Sequence, residues 1–209
     1  MSARISIAGV SERDVDLLLL EEFQSSPTFR DWFVLQALGP TVHLGRCVRA
    51  QRSVTHFTGE SDLEVVFSNS DGSHTRLMIE NKVGAGLEPL QAERYRVRGD
   101  SYIADGHCAA YHTVIVAPAR YFSEAGGHKG FDSRVTYEQI LQWFLGDQSL
   151  GERRHYKAAL LRSAIDKATI GYQPEEDAPT TKFWLAYWGH ATKFASRLEM
   201  RKPNLKPSG

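Results

Sequence analysis

Leu63, Val65 and Phe67 alternate with polar residues, the turn-forming stretch Asn69-Ser70-Asp71-Gly72-Ser73 follows, and Leu77 and Ile79 resume the alternation. Period-two alternation on both sides of a short glycine-containing turn predicts a β-hairpin. For the apolar side chains to share one face, Leu63 must pair with Ile79 and Val65 with Leu77, because a slip of one residue would turn every side chain over. That register demands a three-residue loop, Ser70-Asp71-Gly72, with Gly72 left-handed after a type I turn. The other face then carries Asp62, Glu64, Met78, Glu80 and Lys82, with Asp62 directly across from Glu80.

The remaining chain supplies layers for such a hairpin. Between Glu12 and Leu38 the residues Val15, Leu18, Leu19, Phe23, Phe29, Trp32 and Phe33 recur at helical spacing, and Ser25-Ser26-Pro27 divides the run into two helices. Residues 43–58 are rich in valine, threonine and aromatics without helical period and predict an extended, bent strand. Pro89 is expected in the first turn of a helix running to about Asp105. Residues 111–118, YHTVIVAP, are nearly all apolar, as in a strand covered on both faces. A loop to about Arg134, a helix beginning at Val135, another over about 152–170 and a last one from about Thr180 to Met200 complete the reading, with a loose polar tail. The pattern is that of an α/β chain forming a single domain over residues 1–209, without internal repeats.

Composition excludes little. The 209 residues hold 25 Lys+Arg against 25 Asp+Glu, so net charge does not select a partner, and a basic groove can coexist with a compensating acidic site. Cys47 and Cys108 lack the number and spacing of a disulfide framework or zinc site, and a reduced, cytoplasmic setting is expected. The N-terminal residues lack the long apolar region of a signal peptide, and the run LLLL at 17–20 is too short to span a bilayer; the reading is of a soluble protein.

Two carboxylates facing each other across adjacent strands repel, and something must offset the cost. A divalent cation does so: Asp62 and Glu80 can supply two oxygens, the main-chain carbonyl of Asn81 a third, and waters the rest of an octahedral Mg²⁺ shell. Lys82 would stand beside the metal, where its ammonium can orient a water or stabilise charge developing on a phosphate.

Ser61-Asp62, then a hairpin, then Ile79-Glu80-Asn81-Lys82 resembles the PD-(D/E)XK nuclease superfamily, with serine in place of the name-giving proline. Gln91-x-x-x-Tyr95 is similar to the helix motif of its RecB-like branch. The resemblance implies a restriction-endonuclease-like core in αβββαβ order over about residues 12–118, with the helices of about 135–200 as an elaboration. It implies a Mg²⁺- or Mn²⁺-dependent nuclease cutting phosphodiester bonds, most often in DNA, in phage defence, restriction or repair, and it leaves a monomer, a homodimer and a chain completed by a partner subunit all open. It further implies that Asp62, Glu80 and Asn81 bind metal, that Lys82 assists the attacking water, and that Gln91 positions substrate or water with support from Tyr95. An auxiliary acid is expected on the first helix, where Glu21 and Glu22 both offer themselves and Glu22 is preferred. The alternative is a nucleic-acid-binding module of the same fold whose chemistry is lost or depends on a partner.

Other residues carry blander readings. Glu80 and Lys82 could be a solvent-facing ion pair of little energetic weight, and Glu64 reads as a supporting or surface group. Arg94 and Arg98 share a helix side and could meet phosphates or solvent. Phe183, Trp184, Tyr187 and Trp188 could stack bases, but their spacing suits a buried helix stripe better. Neither cysteine sits in a nucleophile motif, and the glycines of VGAGLEP lack the lysine and spacing of a phosphate-binding loop.

Overall fold

The structure, a computed structural model, describes residues 7, 9–84, 86–123, 130–170, 178–194 and 200–204. They fall into two compact units, one within Met1–Gly171 and one within Tyr172–Gly209.

The first unit is an α/β layer structure around an open five-stranded sheet in chain order, β1 (Arg46–His56), β2 (Gly59–Ser68), β3 (His74–Asn81), β4 (Ala110–Ala117) and β5 (Ser133–Thr136). The first three strands form an antiparallel meander, and β3, β4 and β5 run parallel. The hairpin register is the expected one: Leu63 pairs with Ile79 and Val65 with Leu77. Asn69 and Ser73 close the loop through the Asn69 N–H to Ser73 carbonyl bond (2.8 Å), and Gly72 takes φ +82°. A side chain at φ > 0 would meet its own carbonyl, so glycine suits this corner.

Helices α1 (Glu12–Ser25) and α2 (Pro27–Leu38) separate where expected. The Ser26 N–H still bonds the Glu22 carbonyl (2.9 Å) to finish α1, while its hydroxyl accepts the Phe29 N–H (3.2 Å) to start α2, with Pro27 at the first helical position. With α5 (Tyr137–Gly146) and α6 (Arg153–Ile170) they cover one face of the sheet, burying Phe23, Phe29, Phe33 and Phe144 against Leu63, Val65, Leu77, Ile79, Val114 and Val116. The opposite face is covered by α3 (Gln91–Ala104) and the short α4 (Ala119–Ser123), where Ala92, Tyr95 and Tyr102 meet Met78 and Ile115. β4 is therefore covered on both sides, as its apolar run requires.

Three boundaries differ from expectation. Strand β1 is bent by a bulge between Cys47 and Arg49 and by a left-handed Ser53 (φ +54°), which agrees with a bent strand, but it ends at His56. Pro89 lies outside α3, because Leu90 adopts the left-handed conformation (φ +59°) and delays the helix to Gln91. Val135 and Thr136 belong to β5 and not to the following helix; Val135 fills the core beside β4, and Thr136 caps α5 by accepting the Gln139 N–H (3.1 Å). Four residues are too few for a period to declare itself.

In the second unit α7 (Ala178–Phe194) corrects the expected buried stripe: Phe183, Trp184 and Tyr187 are exposed and Trp188 is half-buried. The expected end of this helix at 195–199 lies outside the described residues, and Met200 is not helical. Among the described residues no helix is long and apolar enough to cross a membrane.

Candidate active site

The carboxyl end of β3 gathers the charged groups. Glu80 is buried, and each of its oxygens is held: Oε1 accepts the Gln91 side-chain amide (2.6 Å) and meets the Lys82 ammonium (2.8 Å), while Oε2 accepts the Tyr95 hydroxyl (2.7 Å). Gln91 and Tyr95 are four residues apart on α3 and so project together onto the strand. The Gln91 side-chain oxygen accepts the Glu88 N–H (3.0 Å), which orients its amide.

Asp62 comes from β2. Its Oδ2 accepts the Asn81 N–H at the end of β3 (2.8 Å), and its own N–H reaches the Tyr95 hydroxyl (3.4 Å). Its Oδ1 has no hydrogen-bond partner among the described residues. Burial and then the charge of Glu80 push the Asp62 carboxyl up from 3.8 to about 7. Lys82 moves the other way from what burial alone would give: the Glu80 charge and hydrogen bond outweigh desolvation and raise its pKa, so it stands at neutral pH as an ammonium.

Helix α1 supplies two further carboxylates that the sequence reading passed over. Asp16, buried on α1, accepts the Asn81 side-chain amide (2.8 Å) and lies 3.7 Å from Arg52 of β1. Burial above all, against the Asn81 hydrogen bond, lifts its carboxyl to about 6, with Glu12 and Glu80 adding to the rise. Glu12, one turn earlier, accepts the Val83 N–H (2.9 Å), and the Asn81 amide also donates to the Glu12 carbonyl (3.0 Å). Asn81 is thus tied to α1 and, through the Tyr137 hydroxyl, to α5. A signal for the burial of Asp16 was present in the sequence: it shares a 4-3-4 helical line with the apolar Leu19 and Phe23.

The preferred auxiliary acid is placed elsewhere. Glu22 is buried with Lys157 of α6 (2.9 Å), which also pairs with Glu21, and burial raises the Glu22 carboxyl against that compensation. Both acids face away from the β3 end because α1 crosses the sheet: its first half meets Asn81 and its second half meets α6.

Glu64 is likewise no surface group. It is buried, accepts the Ser61 hydroxyl (2.8 Å) and pairs with Arg76, whose guanidinium lies 3.9 Å from the Tyr102 ring centroid. Arg98, fully buried, bonds the Ser61 and Thr58 hydroxyls and leans on Tyr95. Of the three arginines on α3, Arg94 pairs with Glu88 and Arg96 with Asp132. Arg98 therefore lies in no solvated face, whereas half-buried Arg94 and exposed Arg96 make their ion pairs at the helix surface. The Arg98 network braces the β1–β2 turn that delivers Asp62.

The arrangement brings Asp62, Glu80, Asn81, Lys82, Gln91 and Tyr95 together, joined by Asp16 and Glu12. Among the described residues no three of His, Cys, Asp or Glu converge as a ready metal cage. No protein-family model, no curated protein and no solved structure matches the chain.

Proposed function

We propose that the chain is a divalent-metal-dependent nuclease of the PD-(D/E)XK type, with a restriction-endonuclease-like core, that hydrolyses phosphodiester bonds, DNA being the expected substrate. The observation that carries this reading is the placement of two carboxylates from neighbouring strands at one corner: Asp62 accepts the Asn81 N–H, Glu80 holds the Lys82 ammonium, and the Tyr95 hydroxyl bridges Glu80 and the Asp62 backbone. A structural pair would be relieved by protein donors, yet Asp62 Oδ1 has none among the described residues. Excess negative charge and an unengaged oxygen fit a hard divalent cation.

Asp62, Glu80 and the Asn81 carbonyl would hold Mg²⁺ or Mn²⁺, which when bound supplies Lewis-acid polarisation of the phosphate and an acidified water. Lys82 is a donor and not a base: held as an ammonium, it orients the attacking water or stabilises charge on a non-bridging oxygen. Gln91 and Tyr95 fix Glu80 from the α3 side, and the Asn81 N–H fixes Asp62. The water oxygen bonds phosphorus as the bond to the leaving oxygen breaks in line.

The closed Glu80–Lys82 ion pair favours a second reading, a binding module in which this pair is structural. Cleavage of plasmid DNA, oligonucleotides and RNA with Mg²⁺ or Mn²⁺ separates the two. The nuclease reading expects metal-dependent cleavage that Lys82→Ala lowers by about 10²-fold or more, the scale of losing a transition-state donor. Wild-type protein inert on every substrate with either metal assigns the binding module.

A further inference from the structure

Arg134 stands two strands from Glu80 in the same row of the sheet. Glu80 pairs with Ile115 and Ile115 with Arg134 across three parallel strands, and residues paired in this way point to the same face. That is the face covered by α3 and α4. Arg134 is exposed, its guanidinium lies 5.4 Å from the Phe122 ring centroid, and among the described residues it makes no ion pair or hydrogen bond. It lines a cleft of about 400 Å³ together with Ala119, Phe122, Ser123, Thr136 and Gln139.

The other polar groups there are engaged. Thr136 and Gln139 cap α5 through each other, and the nearby Glu138 carboxylate accepts the Ala119 N–H (2.8 Å). Among the described residues that line it, the cleft therefore offers one uncommitted cation, 5.4 Å from a ring centroid at the carboxyl ends of parallel strands, where ligands of open α/β sheets bind. A guanidinium so presented matches a phosphate through its planar fork. Tyr121 of α4 packs edge-on against Phe122 of the cleft wall (ring centroids 5.7 Å apart).

We propose that this cleft is a phosphate subsite for the substrate strand, with Arg134 holding a backbone phosphate away from the scissile bond. The inference rests on the nuclease reading and adds the strand's path to it. Two strand spacings of about 4.8 Å set Arg134 roughly 10 Å from the Glu80 row position. At a rise of about 3.4 Å per nucleotide that is roughly three nucleotides. A substrate strand would then run across β3, β4 and β5 in that order.

The test is binding of a labelled single-stranded oligonucleotide in EDTA, followed by fluorescence anisotropy over a salt series, for wild type, Arg134→Ala and Arg134→Lys. Arg134→Ala is expected to bind about tenfold more weakly and to reduce the slope of log affinity against log salt by about 0.7, the share of one phosphate contact on a single strand. Arg134→Lys should restore the slope and part of the affinity. Oligonucleotides with one neutral methylphosphonate linkage at successive positions should lose affinity at a single position, and Arg134→Ala should abolish that loss. Unchanged affinity and slope in Arg134→Ala, in protein that still cleaves, overturns the subsite and leaves the nuclease reading standing. Wild type that binds no strand in EDTA or in Ca²⁺ overturns the subsite, and if it also cleaves nothing with Mg²⁺ or Mn²⁺ the nuclease reading falls with it. Thymidine monophosphate binding more tightly than the strand, in an Arg134-dependent way, replaces the strand assignment with a free nucleotide. Thermal unfolding of each variant separates loss of contact from loss of fold.

Discussion

The hydroxyl of Tyr95 donates to Glu80 Oε2 at 2.7 Å and lies 3.4 Å from the Asp62 N–H, so one buried phenol ties the two carboxylate-bearing strands together. Tyr95 is 1% exposed, and burial with the neighbouring carboxylates raises its pKa well above 10, so it remains a donor across the working range. Tyr95→Phe keeps the ring and removes the tie. It should cost about 1–3 kcal/mol of stability, the penalty of leaving a buried charged group short of a donor. Cleavage should fall by more than tenfold at saturating metal, because Glu80 gains a second orientation. Urea denaturation and single-turnover cleavage measure the two effects; full activity in Tyr95→Phe would detach α3 from the chemistry.

Helix α1 offers a direct comparison between two acids. Asp16 contacts Asn81, the residue between Glu80 and Lys82, whereas Glu22 is committed to Lys157. Asp16→Asn should weaken activation by metal and lower cleavage by about tenfold or more, since it removes charge from the carboxylate corner and alters the hold on Asn81. Glu22→Gln should leave the metal titration of cleavage unchanged. The reverse ranking in a Mn²⁺ titration would return the auxiliary role to Glu22.

Acidity provides a test that needs no substrate. The Asp62 and Asp16 carboxyls are raised from 3.8 to about 7 and about 6, so the folded protein keeps their protons longer than the unfolded chain does. Where the native state binds more protons, unfolding free energy falls as pH rises. Their stabilising contribution is thus complete below about pH 4 and is lost between about pH 4 and 7. In EDTA, urea midpoints should decline over that window, and Asp62→Asn should flatten the decline. Adding Mg²⁺ at pH 8 should recover stability, because the cation replaces the missing protons; no recovery in wild type counts against a metal at this corner.

The legible and the hidden parts of the fold divide by range. The pairing of Leu63 with Ile79 was readable because alternation and Gly72 lie within a single local pattern. The grouping of Asp62, Glu80 and Lys82 on one side of that hairpin followed from the same register. Asp16 was not readable as a partner of Asn81, because a separation of 65 residues is bridged only by the crossing of α1 over β3. Nor was the burial of Arg98, whose charge is accommodated by Ser61, Thr58 and the Tyr95 ring contributed by other elements. Strand β5 has the opposite difficulty: Ser133–Thr136 is local but too short to show a period, and only its partner β4 makes it a strand.

Gly99 gives the sharpest prediction about packing. It lies in the interior of α3, where glycine costs about 1 kcal/mol relative to alanine, so something else must favour it there. The Tyr111 ring lies against its backbone: a Cβ at position 99 would come 2.4 Å from a ring carbon. That ring cannot simply rotate away, because its hydroxyl donates to Asp100 (2.8 Å) on the same helix. Gly99→Ala should therefore destabilise by about 1–3 kcal/mol despite the better helix propensity of alanine. The double variant Gly99→Ala with Tyr111→Ala should recover most of the steric loss and reveal the propensity gain. Urea midpoints of the two variants and of Tyr111→Ala complete the cycle, and additive effects would mean that the ring does not constrain the helix.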